Sequence, residues 1–384
     1  MNYKVMLAII SVIGVYALGN YYIGTRIYKG LTSNFNINSA LYWSVFWLIA
    51  IAYILTMILG NYVSGKVFDI FNLIGVYWLV ILFYLIILLP VIDLIAFINK
   101  RYTFIPTVIG RYNVVSLVSL LVTIAMVFIV IYGTWNGRHS YVKYYDININ
   151  KKINGLNELN VVMVSDIHLG NLIDGKRAKT MVQEINILNP DIVLFAGDIV
   201  DTEVKPFLKG SMAEEFKNIK STYGVYAALG NHDIMRGDDD IIAEELSKYG
   251  VTVLRDDVKA IKDKFYVVGR DDISINRTNK KRKSLENILV DVDKSKPILL
   301  IDHTPSSLED GVKNYIDLQV SGHTHKGQFF PNNLITNRIF EVDYGYLIKN
   351  DMNVVVSSGY GTWGPPIRLG SRSEIVNIRM KFDK

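Results

Sequence analysis

The sequence predicts an α/β domain carried behind four transmembrane helices. Three observations carry that prediction. Half of the 384 residues are hydrophobic and the mean hydropathy is +0.24, too apolar for an ordinary soluble protein of this length. The apolar excess is concentrated before about residue 135, in four long stretches. Beyond it, short apolar runs alternate with helical stretches, and the runs end in polar loops, as strands of an α/β sheet do. The expected division is a membrane part over 1–135, a linker over 136–150 and an α/β domain over 151–384.

The apolar stretches run over 5–24, 41–60, 71–98 and 114–133. Each is long enough, at about 1.5 Å per residue, to cross a hydrocarbon core of about 30 Å. Four in succession exceed what the core of a soluble bundle needs. The first is too long for the apolar region of a cleaved signal peptide and lacks a small-residue cleavage site. The third holds Pro90 and Asp93, so it is expected to kink, tilt or end before Asp93. Asp93 itself is read as sitting at headgroup level near a helix end. Tyr21, Tyr22, Tyr42, Trp43, Tyr132 and Trp135 fit an aromatic belt at the interfaces.

Sidedness follows from basic residues near the span ends. Arg26, Lys29, Lys100, Arg101 and Arg111 fall in the first and third loops. Lys4, Lys66, Arg138, Lys143, Lys151 and Lys152 lie on the other side, the last two further out. The bias near the spans favours a cytoplasmic placement of the first and third loops, which leaves the α/β domain outside the cytoplasm.

Cysteine is absent, which excludes disulfides, thiolate metal ligands and cysteine nucleophiles. The net charge of +5 is too small to argue for nucleic-acid binding. The densest basic run, residues 277–283, is a candidate for docking on anionic headgroups, where each cation contributes on the order of 1 kcal/mol. Its alternative is a solvated loop.

Five apolar runs, over 160–165, 191–196, 225–229, 298–301 and 318–320, read as buried strands. Helical stretches are expected over 175–188, 238–249 and 284–293. The strands lead into Asp166-Ile167-His168, Gly197-Asp198, Gly230-Asn231-His232-Asp233, Asp302-His303-Thr304-Pro305 and Gly322-His323-Thr324-His325. Five of the six histidines fall in these blocks; His139 lies outside them. Asp166 and His168 are alternate residues, as are His323 and His325, so each pair is able to clamp a metal from one side. Asp198 and Asn231 close different strands, which suits a shared centre. Imidazoles, carboxylates and a bridging group are what a pair of divalent cations needs. Asp233 and Asp302 are read as groups that support the loops.

In the same order, these blocks resemble the calcineurin-like metallophosphoesterase family over about residues 155–380. The resemblance implies a four-layer αββα sandwich of two sheets flanked by helices. It implies one metal held by Asp166, His168, Asp198 and His325, and a second by Asp198, Asn231, His303 and His323. His232 is then the general acid, oriented by Asp201. Thr202 and Glu203 after Asp201 depart from the protein Ser/Thr phosphatase branch. The tail 359–369 and Gln328 look instead like the YkuE-like branch, which includes transmembrane proteins with a metallophosphoesterase domain and lipid-sugar nucleotide hydrolases. Lys326 stands where that branch has glycine.

The implied chemistry is metal-dependent hydrolysis of a phosphoester or pyrophosphate. A hydroxide bridging two divalent ions (Mn, Fe or Zn) attacks phosphorus in line, and His232 protonates the leaving oxygen. Arg368, Arg270 and Lys326 are candidates for gripping a substrate phosphate. The membrane tether tilts the substrate toward a lipid-linked or envelope phosphodiester or pyrophosphate, with UDP-2,3-diacylglucosamine the family precedent. The rival reading is a membrane sensor or scaffold that uses the fold only to bind metal or ligand.

Overall fold

A computed structural model of the chain describes residues 3–60, 62–63, 65–102 and 114–383. Two compact units divide it, Met1–Tyr132 and Gly133–Lys384.

The first unit is made of long apolar helices: α1 (Tyr3–Thr32), α2 (Ser39–Leu59), α3 (Lys66–Tyr102) and α4 (Val114–Arg138), the last running on into the second unit. All four are long and apolar enough to cross a membrane. Gly75 lies on the backbone of Tyr53, where a Cβ would come within 2.4 Å of the Tyr53 amide nitrogen, so α2 and α3 meet through a small residue. Of the alternatives for the third stretch, an end before Asp93 is not what forms: the helix runs through Pro90 and Asp93 to Tyr102. Asp93 lies inside the helix, where it accepts a 2.6 Å hydrogen bond from the Tyr22 hydroxyl and pairs with Arg26. A paired, hydrogen-bonded carboxylate is the form in which a charge persists inside an apolar helix. Arg26 thus belongs to α1 rather than to a loop. Arg111 and the side chain of Lys4 lie outside the described residues.

The second unit holds twelve strands among the described residues. They are β1 (Tyr141–Lys152), β2 (Glu158–Val164), β3 (Ile192–Ala196), β4 (Val225–Ala228), β5 (Val251–Val253), β6 (Asp257–Ile261), β7 (Phe265–Gly269), β8 (Ile298–Ile301), β9 (Leu318–Ser321), β10 (Gly345–Lys349), β11 (Met352–Val356) and β12 (Glu374–Asp383). One sheet has the order β1-β12-β2-β3-β4-β5, the other β10-β11-β9-β8-β7-β6. Val161, Met163, Leu194 and Ala196 of the first sheet share a core with Val267, Leu299, Ile301, Leu318 and Val320 of the second. The first sheet's other face (Val162, Val193, Phe195) packs on Ala178, Met181 and Ile185 of α5 (Gly175–Ile187). The second sheet's other face (Val268, Leu300, Val354) packs on Leu285, Ile288 and Leu308 from short helices. The architecture is the αββα sandwich.

Residues 136–150 are not a linker. Helix α4 continues to Arg138, and β1 pairs in parallel with β12 from Tyr141 onward. In this edge strand only Ile147 and Ile149 are buried, so it lacks the continuous apolar run that marks the central strands.

Candidate metal centre

Parallel strands from both sheets deliver their C-terminal ends to one place. Asp166 and His168 follow β2, Asp198 follows β3, and Asn231 and His232 follow β4; from the other sheet, His303 follows β8, and His323 and His325 follow β9. Asp166, His168, Asp198, His323 and His325 all take positive φ, between 48° and 72°, a conformation uncommon outside glycine. Cross-loop hydrogen bonds hold them there. Asp166 N donates to Gly197 O (2.9 Å), His168 N to Asp198 O (3.0 Å), Gly361 N to Asp166 O (2.7 Å) and Gly322 N to His303 O (2.9 Å). Two glycines let the loops close this tightly. A Cβ on Gly230 would stand 2.1 Å from Asp198 Oδ1, and one on Gly322 would stand 2.2 Å from Asp166 Oδ2.

Two groups of acceptors result. In one, His325 Nε2 is 3.3 Å from Asp166 Oδ1 and 3.1 Å from His168 Nε2. In the other, His303 Nε2 is 3.2 Å from Asp198 Oδ2 and 3.2 Å from Asn231 Oδ1, and His323 Nδ1 is 2.7 Å from Asn231 Oδ1. Asp198 Oδ2 also lies 3.9 Å from His168 Nε2, which puts it between the groups. Its other oxygen accepts from His232 N at 2.8 Å, while His323 N donates to Asp166 Oδ1 at 3.0 Å. His303 Nδ1 lies 2.7 Å from Ala196 O, so that nitrogen donates and Nε2 is the one that faces the site. Buried acceptors converging at such distances repel one another unless a cation joins them, and the donor set suits divalent ions.

The electrostatics follow from burial. Burial drives His325 well below the usual imidazole range, helped by the charge of Arg368. It lowers His323 as well, with His303 adding to the effect. Burial and the charge of His168 lower His232, against the pull of Asp198. Burial also opposes charge on His303, yet Asp198 raises that ring well above the ordinary value. Asp198 is correspondingly depressed, its burial outweighed by His303 and His168. Burial and Asp198 push the Asp233 carboxyl up to about 7, against N–H donors from Ile199, Val200 and Gly230.

Asp201 Oδ1 is 3.7 Å from Nδ1 of both His168 and His232, and neither ring nitrogen has a hydrogen-bond partner among the described residues. His232 also falls within metal-ligating reach of His168 and Asp198. Of the candidate phosphate grips, Lys326 is half-buried next to His325, its Nζ 4.2 Å from the centre of the Tyr344 ring. Arg368 is fully buried, and its donors go to Gly359 O, Gly361 O, Ser371 Oγ and His325 Nδ1. Arg270 is buried against Asp302, with Asp310 3.6 Å away. Neither guanidinium is free to grip a substrate. Two cations of the basic run are paired internally: Lys280 with Asp239 and Asp240, and Arg282 with Asp302. His139 is exposed and stacks on Trp135.

Asp272 escaped the sequence reading. It is buried beyond β7 and accepts from Thr304 Oγ1 at 2.5 Å, next to His303 in sequence. The signal was present, since Val267-Val268-Gly269 leading to Asp271-Asp272 repeats the apolar-strand, glycine, acid order of the other blocks.

Residues 159–327 match the family described as calcineurin-like phosphoesterase. An uncharacterized metallophosphoesterase of Aquifex aeolicus is 31% identical over 254 residues, 64% of this chain and 96% of that protein. The chain belongs to the metallophosphoesterase family. Two relatives bear the name transmembrane protein with metallophosphoesterase domain. The one from Danio rerio is 31% identical over 68% of this chain and 62% of its own length. The one from Bos taurus is 29% identical over 61% and 55%. This metallophosphoesterase thus spans about three fifths of the Danio rerio relative's length. The chain thus joins four helices long and apolar enough to cross a membrane to a metallophosphoesterase-family domain whose His/Asp clusters suit a divalent metal.

Proposed function

We propose that this metallophosphoesterase hydrolyses a phosphodiester or pyrophosphate bond of a lipid-linked or envelope substrate, with its catalytic domain outside the cytoplasm. The observation that carries the reading is Asp198, whose Oδ2 lies between two acceptor groups while His232 stands at their edge with an 18% exposed side chain. Asp166, His168, Asp198 and His325 would hold one divalent ion, and Asp198, Asn231, His303 and His323 a second. Such a pair supplies an activated water and neutralises phosphate oxygens. The chain's own residues do the rest. Asp201, 3.7 Å from Nδ1 of His232, is placed to orient that ring so that Nε2 protonates the departing oxygen. Lys326, next to His325, meets substrate phosphate. A nucleotide-linked lipid such as UDP-2,3-diacylglucosamine fits the chemistry, though a cytoplasmic substrate requires the opposite sidedness.

The test is hydrolysis by the full chain in lipid with Mn²⁺. Soluble and lipid-linked phosphomonoesters, phosphodiesters and pyrophosphates are compared. Turnover is expected to vanish with chelator and in Asp198→Ala, and to favour lipid-linked substrates. Equal rates on soluble and lipid-linked forms overturn the lipid reading. Metal binding without turnover on any substrate supports the sensor instead.

A further inference from the structure

The helix Asn333–Ile339 is built inside out. At about 100° per residue, Leu334, Arg338, Ile335 and Ile339 share one arc, and Thr336, Asn333 and Asn337 the opposite one. The polar arc faces the domain: Thr336 Oγ1 donates to Asp343 Oδ2 at 2.6 Å, and Asn337 Nδ2 lies 3.5 Å from Asp343 Oδ1. The apolar arc faces outward, with Leu334, Ile335 and Ile339 62%, 58% and 68% exposed, and the helix buries none of its residues. Trp363, 48% exposed, is tied to the same segment through Gln328, which bonds it in both directions. Single exposed apolar residues need no explanation, but a helix of reversed polarity does.

Its position says what covers it. The segment 363–371 that carries Trp363 is bridged to the residues just before the helix, where Phe330 N donates to Leu369 O at 2.7 Å. The same segment is held from the other side by residues 133–138, the end of α4. Arg368 N donates to Gly133 O at 2.9 Å, and Gly133 and Gly137 pack closely on Ile367 and Pro366. Helix α4 is the last of the four apolar spans, and its final residues lie against the segment that adjoins this face. Exposed Trp135, Arg138 and Arg338 around it are the aromatic and basic types that settle at a membrane interface.

We propose that the outer arc of the helix Asn333–Ile339, together with Trp363, is a membrane-docking surface that inserts into the bilayer holding the four spans. Docking turns the metal centre toward the headgroup layer, because Phe340 at the helix end packs its ring 6.0 Å from that of His323. Thr324, between the two site histidines, is bonded to Asp343 O.

The absence of cysteine allows a direct test. Single cysteines are placed at Ile335, at Ile339 and, as a control, at Val290. Val290 is 77% exposed and precedes the N-terminal end of β8, at the sheet edge away from the site. The full chain is spin-labelled and reconstituted in bilayers of phosphatidylcholine and phosphatidylglycerol. Collision with molecular oxygen and with a water-soluble nickel chelate is then measured. Ile335→Cys and Ile339→Cys are expected to show an oxygen-to-nickel accessibility ratio several-fold above that of Val290→Cys. A ratio equal to the control's overturns the proposal. So does shielding from both reagents, which marks a protein occupant such as a second copy. The readout does not involve turnover, so it stands or falls separately from the hydrolase reading.

Discussion

Arg368 places a guanidinium nitrogen 3.1 Å from Nδ1 of His325, with both side chains shut away from solvent. A guanidinium only donates, so the neutral ring accepts at Nδ1 and its proton sits on Nε2, toward Asp166 and His168, where a metal would have to displace it. Complete burial pulls the Arg368 pKa down to about 10, which leaves it charged at neutral pH. Arg368→Gln is therefore expected to weaken metal binding about 10–100-fold, the usual cost of losing a group that orients a ligand. Metal content after equilibrium dialysis reads it out. Unchanged metal affinity with a raised KM would instead return Arg368 to substrate binding.

The two kinds of histidine are separable. His232→Ala is expected to keep its metal and lose about 10²–10⁴-fold in kcat, the share of general acid catalysis. His323→Ala is expected to lose metal. Elemental analysis beside the rate measurement distinguishes them. A metal-poor His232→Ala protein makes His232 a ligand, which its reach to His168 and Asp198 permits.

Without metal, Asp198 and His303 form a buried ion pair, 3.2 Å apart. The carboxylate is depressed, so its contribution is present above the unfolded value of about 3.9 and is lost as pH falls through the folded one. The imidazole is raised, so its contribution is full below about 6.5 and is lost as pH rises through the elevated folded value. The chelator-treated protein is expected to be most stable between these limits and to lose Tm toward alkaline pH. His303→Gln removes that alkaline loss. Melts in chelator from about pH 4, near the unfolded carboxylate value, into the alkaline range check it, and a parent-like slope in the variant would falsify the assignment.

Gly230→Ala brings a Cβ to 2.1 Å from Asp198 Oδ1 and 2.4 Å from its amide nitrogen. The clash is with a backbone atom and a site carboxylate, so it is not relieved by a side-chain rotation. Destabilisation of about 1–3 kcal/mol, typical of overpacking, is expected together with lost metal. Thermal unfolding and metal content measure both; parent values for each would show that the loops give way.

Sidedness rests on Arg26, Lys29, Lys100, Arg101 and Arg111, of which Arg26 also pairs with Asp93. The expectation remains that the catalytic domain is outside the cytoplasm. Alkaline phosphatase fused after the last residue is expected to be active, and a reporter that matures only in the cytoplasm to be dark. The reverse pattern overturns the placement and favours the nucleotide-linked lipid.

The spans, the central strands and the ligand blocks were legible in the chain because each is a local signal. A run of apolar residues has to be buried or lie in lipid, and Asp and His at fixed spacing behind such runs carry their chemistry with them. Tertiary structure alone decided the partners. β1 is a half-exposed edge strand whose place is set by β12, far along the chain. Asp93 is tolerated inside α3 because Arg26 and Tyr22 reach it from α1. Arg368 orients His325 because the fold buries it there, although its sequence setting suggested a phosphate grip. The reversed polarity of Asn333–Ile339 became readable only once Asp343 showed which side faces inward. Residue chemistry is a property of the sequence, whereas burial and pairing arise where distant segments meet.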